Sequence, residues 1–168
     1  MDGRSDRETA PVNNIGPVTI TTPGDRQIVV TRLFDAPRAL VFEAWTKAEH
    51  VAHWWDPSGV PLAVCEIDLR PNGVFRWVNR APDGGEGHSF DGIYREIDAP
   101  GKLVFASPSG PGVSTLVFSE EGKKTRLTIT IECATEKDRE ALLQMRVDAG
   151  TAHTLENLAA YLLTMCAK

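Results

Sequence analysis

The chain is short of the residues that mark a metal or redox protein. Its 168 residues include three cysteines, Cys65, Cys133 and Cys166, which are far apart and never form a Cys-x-x-Cys pair. Neither a zinc knot nor a disulfide framework is indicated. Long apolar runs are missing as well: nothing approaches the roughly 18 consecutive apolar residues a membrane-spanning helix needs. Charge of one sign is also lacking. The formal net charge is -5 with no run of like charge, which argues against nucleic acid or an anionic membrane as the partner. The opening residues, MDGRSDRETAPVNN, hold no apolar stretch of the signal-peptide type, so a cytoplasmic location is expected. No nucleophile elbow, phosphate loop or paired-carboxylate signature occurs.

What is present reads as one globular domain. Hydrophobic residues make up 42% and charged residues 24% of the chain, an ordinary balance, and the length suffices for a full core. Residues 1–23 are polar and punctuated by Pro11, Pro17 and Pro23. They are expected to form a flexible N-terminal tail, with a brief edge contact at Val18–Ile20, ahead of a domain over 24–168. Ile28 to Phe34 is β-branched and apolar and reads as a strand. Asp35-Ala36-Pro37 opens a helix, whose apolar face carries Leu40, Val41, Ala44 and Trp45. Thr46-x-x-Glu49 has the form of a capping box. It starts a second short helix near Lys47 that ends before Pro57.

Six apolar, alternating segments follow, at 61–69, 74–78, 89–97, 103–107, 113–118 and 126–133, separated by Pro, Gly, Asn and Asp turns. Their short spacing predicts an antiparallel meander. From Glu136 to about Ala167 the period changes. Leu142, Met145, Ala149, Ala152, Leu155, Leu158, Ala159, Leu162 and Met165 recur at threes and fours, which predicts a single helix of about 30 residues with one apolar face. Such a helix buries that face by lying across the sheet. The fold class is α+β.

Several residue patterns bear on chemistry. In AEHVAHWWDPSGV, residues 48–60, His50 and His53 stand at i and i+3 beside Glu49. A zinc site needs three or four ligands, and none other is near in sequence, so solvent-exposed histidines and no metal are expected. Trp54 and Trp55 point about 100° apart on a helix, so one enters the core and the other is free for a different task. Alternation puts Phe75, Trp77 and Asn79 on one face of their strand, taken as the inner one. Phe90, Gly92 and Tyr94 share a face of the next, where a glycine between aromatics marks a close approach in a curved sheet. Gly150 lies mid-helix, either packed closely on the sheet or facing a gap. His153 and Tyr94 are the weak candidates for catalytic groups. Cys65 is the cysteine to test for reactivity, and Glu66, Asp68 and Arg70 read as a solvated face.

The run TRLFDAPRALVFEAWTKAEHVAHWWDPSGV, followed by CEIDLRPNGVFRWV, APDGG, FDGIYREIDAPGKLVF, TRLTITIEC and GTAHTLENLAAYL, resembles the START-like superfamily. Within it, the chain is similar to the family named after the activator of heat-shock-protein-90 ATPase, over about residues 26 to 165. The resemblance implies a helix-grip fold: a curved antiparallel sheet of about six or seven strands around a long C-terminal helix, with a cavity between them. It implies a short second helix at the open end of the grip, where Trp55 would meet the cavity. Members often carry Gly-Trp in the middle of the long helix; Gly150-Thr151 stands here instead, which implies a roomier or differently shaped cavity. A glycine usual before Val74 is replaced by Asn72, still compatible with a turn.

The expected ligand-binding set is therefore Trp55, Phe75, Trp77, Asn79, Phe90, Tyr94, Phe105, Gly150, Thr151 and His153. The expected function is a small-molecule-binding protein that holds a largely apolar or aromatic ligand, with no cofactor. Two alternatives stand beside it: a co-chaperone-like or regulatory protein-binding module with a chaperone or regulatory partner, and a cyclase- or dehydratase-like enzyme acting on a hydrophobic substrate.

Overall fold

A computed structural model describes residues 12–15, 18–56, 58–107 and 112–166. The elements in chain order are β1 (Val12–Ile15), β2 (Val18–Thr21), β3 (Gln27–Phe34), α1 (Arg38–Thr46), α2 (Ala48–Trp54), β4 (Val64–Ile67), β5 (Val74–Arg80), β6 (Glu86–Asp98), β7 (Lys102–Ala106), β8 (Gly112–Glu121), β9 (Lys124–Cys133), α3 (Glu136–Gln144) and α4 (Val147–Cys166). The strands form one antiparallel sheet in the order β1-β2-β3-β9-β8-β7-β6-β5-β4. The meander is closed by β3, which pairs along its whole length with β9, Ile28 opposite Ile131 and Phe34 opposite Thr125. The α1–α2 pair is inserted between β3 and β4, and α4 packs against β2, β3, α1 and α2. This is the α+β helix-grip architecture, with nine strands among the described residues rather than six or seven.

The additional strands are β1 and β2. Val18 and Ile20 are buried core residues, because β2 pairs with β3 through Thr19↔Thr31 and Thr21↔Val29 and turns its apolar side inward. The sheet thus begins before the boundary expected at residues 23 and 24, and a contact read as brief is a full strand. Residues 1–11 of the expected tail lie outside the described residues.

The C-terminal segment is not one helix. Met145 closes α3, its N–H bonding the carbonyls of Ala141 and Leu143. Arg146 then adopts φ +60 before α4 begins, a left-handed conformation that no α-helix continues through. The reason is the composition of α3. Of the side chains of Glu136–Gln144, Arg139 is the buried one, and Met145 is 70% exposed, so no continuous apolar stripe runs through the junction. Thr135 caps α3 by accepting from the Asp138 N–H at 3.0 Å. Arg139 reaches the carbonyls of Gly24 at 3.1 Å and Thr22 at 3.3 Å, which ties α3 to the turn between β2 and β3. On α4, Ala152, Leu155, Leu158 and Leu162 form the buried stripe.

Two local expectations at α1–α2 are corrected. The capping box is not formed: Thr46 is the last residue of α1, and its hydroxyl donates back to the Phe42 carbonyl at 2.9 Å. Lys47 is the extended N-cap of α2 and supplies no side-chain cap. His50 is buried rather than solvent-exposed. Its Nδ1 is 2.7 Å from the Tyr161 hydroxyl and its Nε2 is 3.1 Å from the Glu43 carboxylate. A carboxylate only accepts, so Nε2 carries a proton and donates it to Glu43, while Nδ1 and the Tyr161 hydroxyl share the second bond. This chain of bonds docks α4 on the two short helices. The His50 bond holds Glu43 below the usual carboxylate range against the opposing effect of burial, with the Lys47 charge adding to it. His53 stacks on the Tyr161 ring. Among the described residues, no group of three or more His, Cys, Asp or Glu is placed to hold a metal ion. None of the helices is long and apolar enough to cross a membrane.

The inner face of the sheet is filled on one side by aromatics. Phe75 and Trp77 of β5 and Tyr94 of β6 are buried, and Phe75 packs on Trp77, Tyr94 and Phe105 with ring centroids 4.6, 5.2 and 5.1 Å away. Gly92, paired with Phe75, makes this possible: a Cβ there would stand 2.2 Å from Phe75 Cζ. Gly92→Ala should therefore cost about 1–3 kcal/mol through overpacking, measured by denaturant unfolding. Because the ring is the obstacle, the cost should shrink when Phe75→Leu is already present; strict additivity of the two would show that the ring is not the cause.

Candidate functional site

The cavity occupies the half of the cradle that the aromatic cluster leaves empty. It has a volume of about 310 Å³. The register explains its place. Ser114 lies opposite Ile131, Leu116 opposite Ile129 and Phe118 opposite Leu127. At the Phe118 end, Phe42 of α1 closes over the sheet with ring centroids 5.3 Å apart. At the other end the inward positions of β8 are Gly112 and Ser114, too small to fill the space, and the helix above them presents Val147, Gly150, Thr151, Thr154 and Leu155. A Cβ at Gly150 would meet nothing within 4 Å, so this glycine faces open space rather than packing closely on the sheet. Trp45, Trp55, Phe90, Phe105, Ser107, Leu116, Ile129, Ile131 and Leu142 complete the wall.

Of the sequence-predicted set, Trp55, Phe90, Phe105, Gly150 and Thr151 line this cavity. Trp54 takes the core role: it is fully buried and its indole N–H donates to the Ala44 carbonyl at 3.0 Å. Trp55 lies beside Phe90 with centroids 5.2 Å apart and near-parallel rings. The other five are placed elsewhere. Phe75, Trp77 and Tyr94 belong to the buried cluster and are not on the wall, because the curvature at Gly92 turns them into each other. The Tyr94 hydroxyl is buried with no hydrogen-bond partner among the described residues, and burial raises its pKa. Asn79 donates to Asp56 Oδ2 at 2.8 Å and is not on the cavity wall. His153 is exposed, in a stripe with Glu156, Ala160 and Leu163, and is not on the cavity wall.

Sequence reasoning missed Trp45, Ser107, Gly112, Ser114, Leu116, Ile129, Ile131, Leu142, Val147, Thr154 and Leu155. The signal for Ser114 was its position: in VSTLVF it takes the same parity as Leu116 and Phe118, a small polar residue on an inward row. Among the described residues that line the cavity, none carries an ionisable side chain.

One segment of the wall is held by polar bonds from three directions. The Thr154 hydroxyl donates to the Trp55 carbonyl at 3.1 Å, and Asn157 Nδ2 donates to the Asp56 carbonyl at 2.8 Å. The Asp56 carboxylate accepts from the Ser58 N–H and hydroxyl at 2.8 and 2.7 Å and from Asn79. Helix α4, the end of α2 and β5 are joined here, and Trp55 is fixed as a result. Burial opposes the charge on Asp56, yet the bonds from Ser58 and Asn79 outweigh it and hold the carboxyl below its ordinary range. Cys65, half-buried on β4, has its thiol pushed up to about 11 by desolvation, with the Glu66 charge adding to it.

A model for the family described as activator of Hsp90 ATPase homologue 1-like protein matches residues 35–163. No functionally curated protein matches the chain by sequence. Among solved structures, a protein from Nitrosomonas europaea is similar at 22% identity, with 88% of this chain and 100% of that one covered and a TM-score of 0.78. A protein from Rhodobacter sphaeroides is similar at 19% identity, covering 88% of this chain and 98% of that one, also with a TM-score of 0.78. A protein from Aeromonas hydrophila described as AHSA1-like is similar at 21% identity, covering 83% and 95%, with a TM-score of 0.67. These likenesses show the fold.

Two measurements test the site. A folded pKa below the unfolded one stabilises above the ordinary carboxylate range and is lost as pH falls through the lowered value. The Trp55 indole resonance should therefore be constant at neutral pH and shift only below about pH 4, with Asp56→Asn flattening that response; an unchanged titration in the variant would remove Asp56 from the role. At pH 8, Cys65 should alkylate about 100-fold or more slowly than a free thiol, since the thiolate is the reactive form. Peptide mapping that finds Cys65 modified at the free-thiol rate would contradict its burial.

Proposed function

The chain belongs to the activator of Hsp90 ATPase homologue 1-like family, and we propose that it holds a small, largely apolar or aromatic molecule in the cavity between the sheet and α4. The observation that carries this reading is the wall itself: about 310 Å³ bounded by four aromatic rings, by aliphatic side chains and by a few hydroxyls. Ligand pockets have this make-up and begin near 300 Å³. Moving apolar ligand surface out of water contributes roughly 25 cal/mol per Å², so a cavity that covers about 200 Å² of ligand supplies about 5 kcal/mol before the costs of association. Gly150 supports the same reading. Glycine inside a helix costs up to about 1 kcal/mol relative to alanine, and here no close contact requires it; the space it leaves belongs to the cavity.

The neutral fluorophore N-phenyl-1-naphthylamine should bind with enhanced emission. Gly150→Leu, which places a good helix former's side chain in the empty volume, should weaken that binding about tenfold or more while leaving the helix content unchanged. Undiminished binding by the leucine variant, with its fold intact by circular dichroism, would place the fluorophore elsewhere and end the proposal.

A further inference from the structure

We infer that the cavity selects neutral aromatic molecules of about two fused rings that carry one hydrogen-bonding group, and excludes the corresponding ions. The inference rests on the small-molecule reading above and deepens it. Three observations carry it.

The first is charge. No described residue on the wall is ionisable. An ionised carboxylate or ammonium moved into such surroundings without a partner loses its hydration and gains nothing in return, so it binds only as its neutral form. The N-terminus of α4 does not replace a cation. Val147, Gly150, Thr151, Thr154 and Leu155 recur on the wall at helical spacing, so the cavity runs along the flank of the helix and not off its end, where the dipole acts. The Gly150 N–H is already bonded to the Arg146 carbonyl at 2.9 Å.

The second is the pair of hydroxyls. Thr154 spends its proton on the Trp55 carbonyl. Ser114 on β8 and Thr151 on α4 both line the cavity, and neither side chain has a hydrogen-bond partner among the described residues. One stands on the sheet wall and the other on the helix wall. A hydroxyl donates and accepts, so each can serve a phenol, an amide or a carbonyl. A purely apolar ligand leaves them unserved, which is the source of discrimination.

The third is shape. Trp55 and Phe90 present near-parallel rings, and Phe105 stands edge-on to Phe90 at 80°. Flat walls favour a flat guest, and the volume is at the small end for ligand sites.

The test is an NMR shift titration of the full chain at pH 7 with 2-naphthol, naphthalene, 2-naphthamide and 2-naphthoate. 2-Naphthol and 2-naphthamide should bind in the cavity, naphthalene about tenfold more weakly for want of a hydrogen bond, and 2-naphthoate about 100-fold more weakly or worse for its charge. Ser114→Ala with Thr151→Val should erase the advantage of 2-naphthol over naphthalene. Should 2-naphthoate bind within about threefold of 2-naphthol, or should the double variant keep the full preference for 2-naphthol, this inference is wrong while the small-molecule reading stands. Failure of all four compounds to shift Trp55, Phe90 or Thr151 would overturn both.

Discussion

The hollow in this protein depends on one close contact, the Phe75 ring lying on the bare backbone of Gly92. A methyl group at that glycine would overlap Phe75 Cζ, so the ring can occupy its place only because position 92 has no side chain. Phe75 in turn touches Trp77, Phe90, Tyr94 and Phe105. These rings fill the β5–β6 side of the cradle, as close-packed protein interiors require. On the β8–β9 side only the Phe118 end is closed, by Phe42; the other end has Gly112 and Ser114 on the inward row of β8. A concave sheet filled everywhere but there leaves its empty volume at that end. Phe90 and Phe105, which belong to both the cluster and the wall, mark the boundary between the two.

The helix that roofs the cavity is placed by polar groups which themselves stay off its wall. Tyr161 is held by His50 and Glu43, Glu156 by Arg32, and Asn157 by the Asp56 carbonyl. Thr154 belongs to both systems, bonding the Trp55 carbonyl while its side chain borders the cavity. Hydrogen bonds have direction and hydrophobic contacts do not, so these bonds fix the rotation of α4 about its axis. That rotation decides that Gly150 and Thr151 look into the cavity and His153 looks out. The pair Trp54–Trp55 is resolved by the same system: the Ala44 carbonyl takes the first indole into the core, and the bonds at 55–56 hold the second at the wall.

Much of this was legible in the sequence, and the parts that were not share a cause. Alternation and turn chemistry located β4 to β9, and the family resemblance supplied the grip and the position of Trp55. The capping box failed because Thr46 has two local partners to choose from, and inside α1 the carbonyl four residues back wins. The break at Arg146 has no residue signature, since neither glycine nor asparagine occupies the left-handed position. It follows from the missing apolar stripe on α3, which the count of hydrophobic positions had smoothed over. Strand β2 was hidden by its length of four residues and is revealed by what it covers. The cavity wall was half-read because it depends on residue size across three elements at once, and that comparison needs the register of β8 on β9 and the rotation of α4.

This division of labour bears on what the site can do. The polar contacts of α4, Glu156 with Arg32 and Tyr161 with His50, stand at its junctions with β3 and the short helices, away from the cavity. Directional bonds of that kind specify how one element sits on another. The wall, by contrast, offers rings, methyl groups and hydroxyls. The wall formed by the described residues is aromatic and aliphatic with a few hydroxyls, and the polar bonds that hold α4 above it lie at the helix's other contacts.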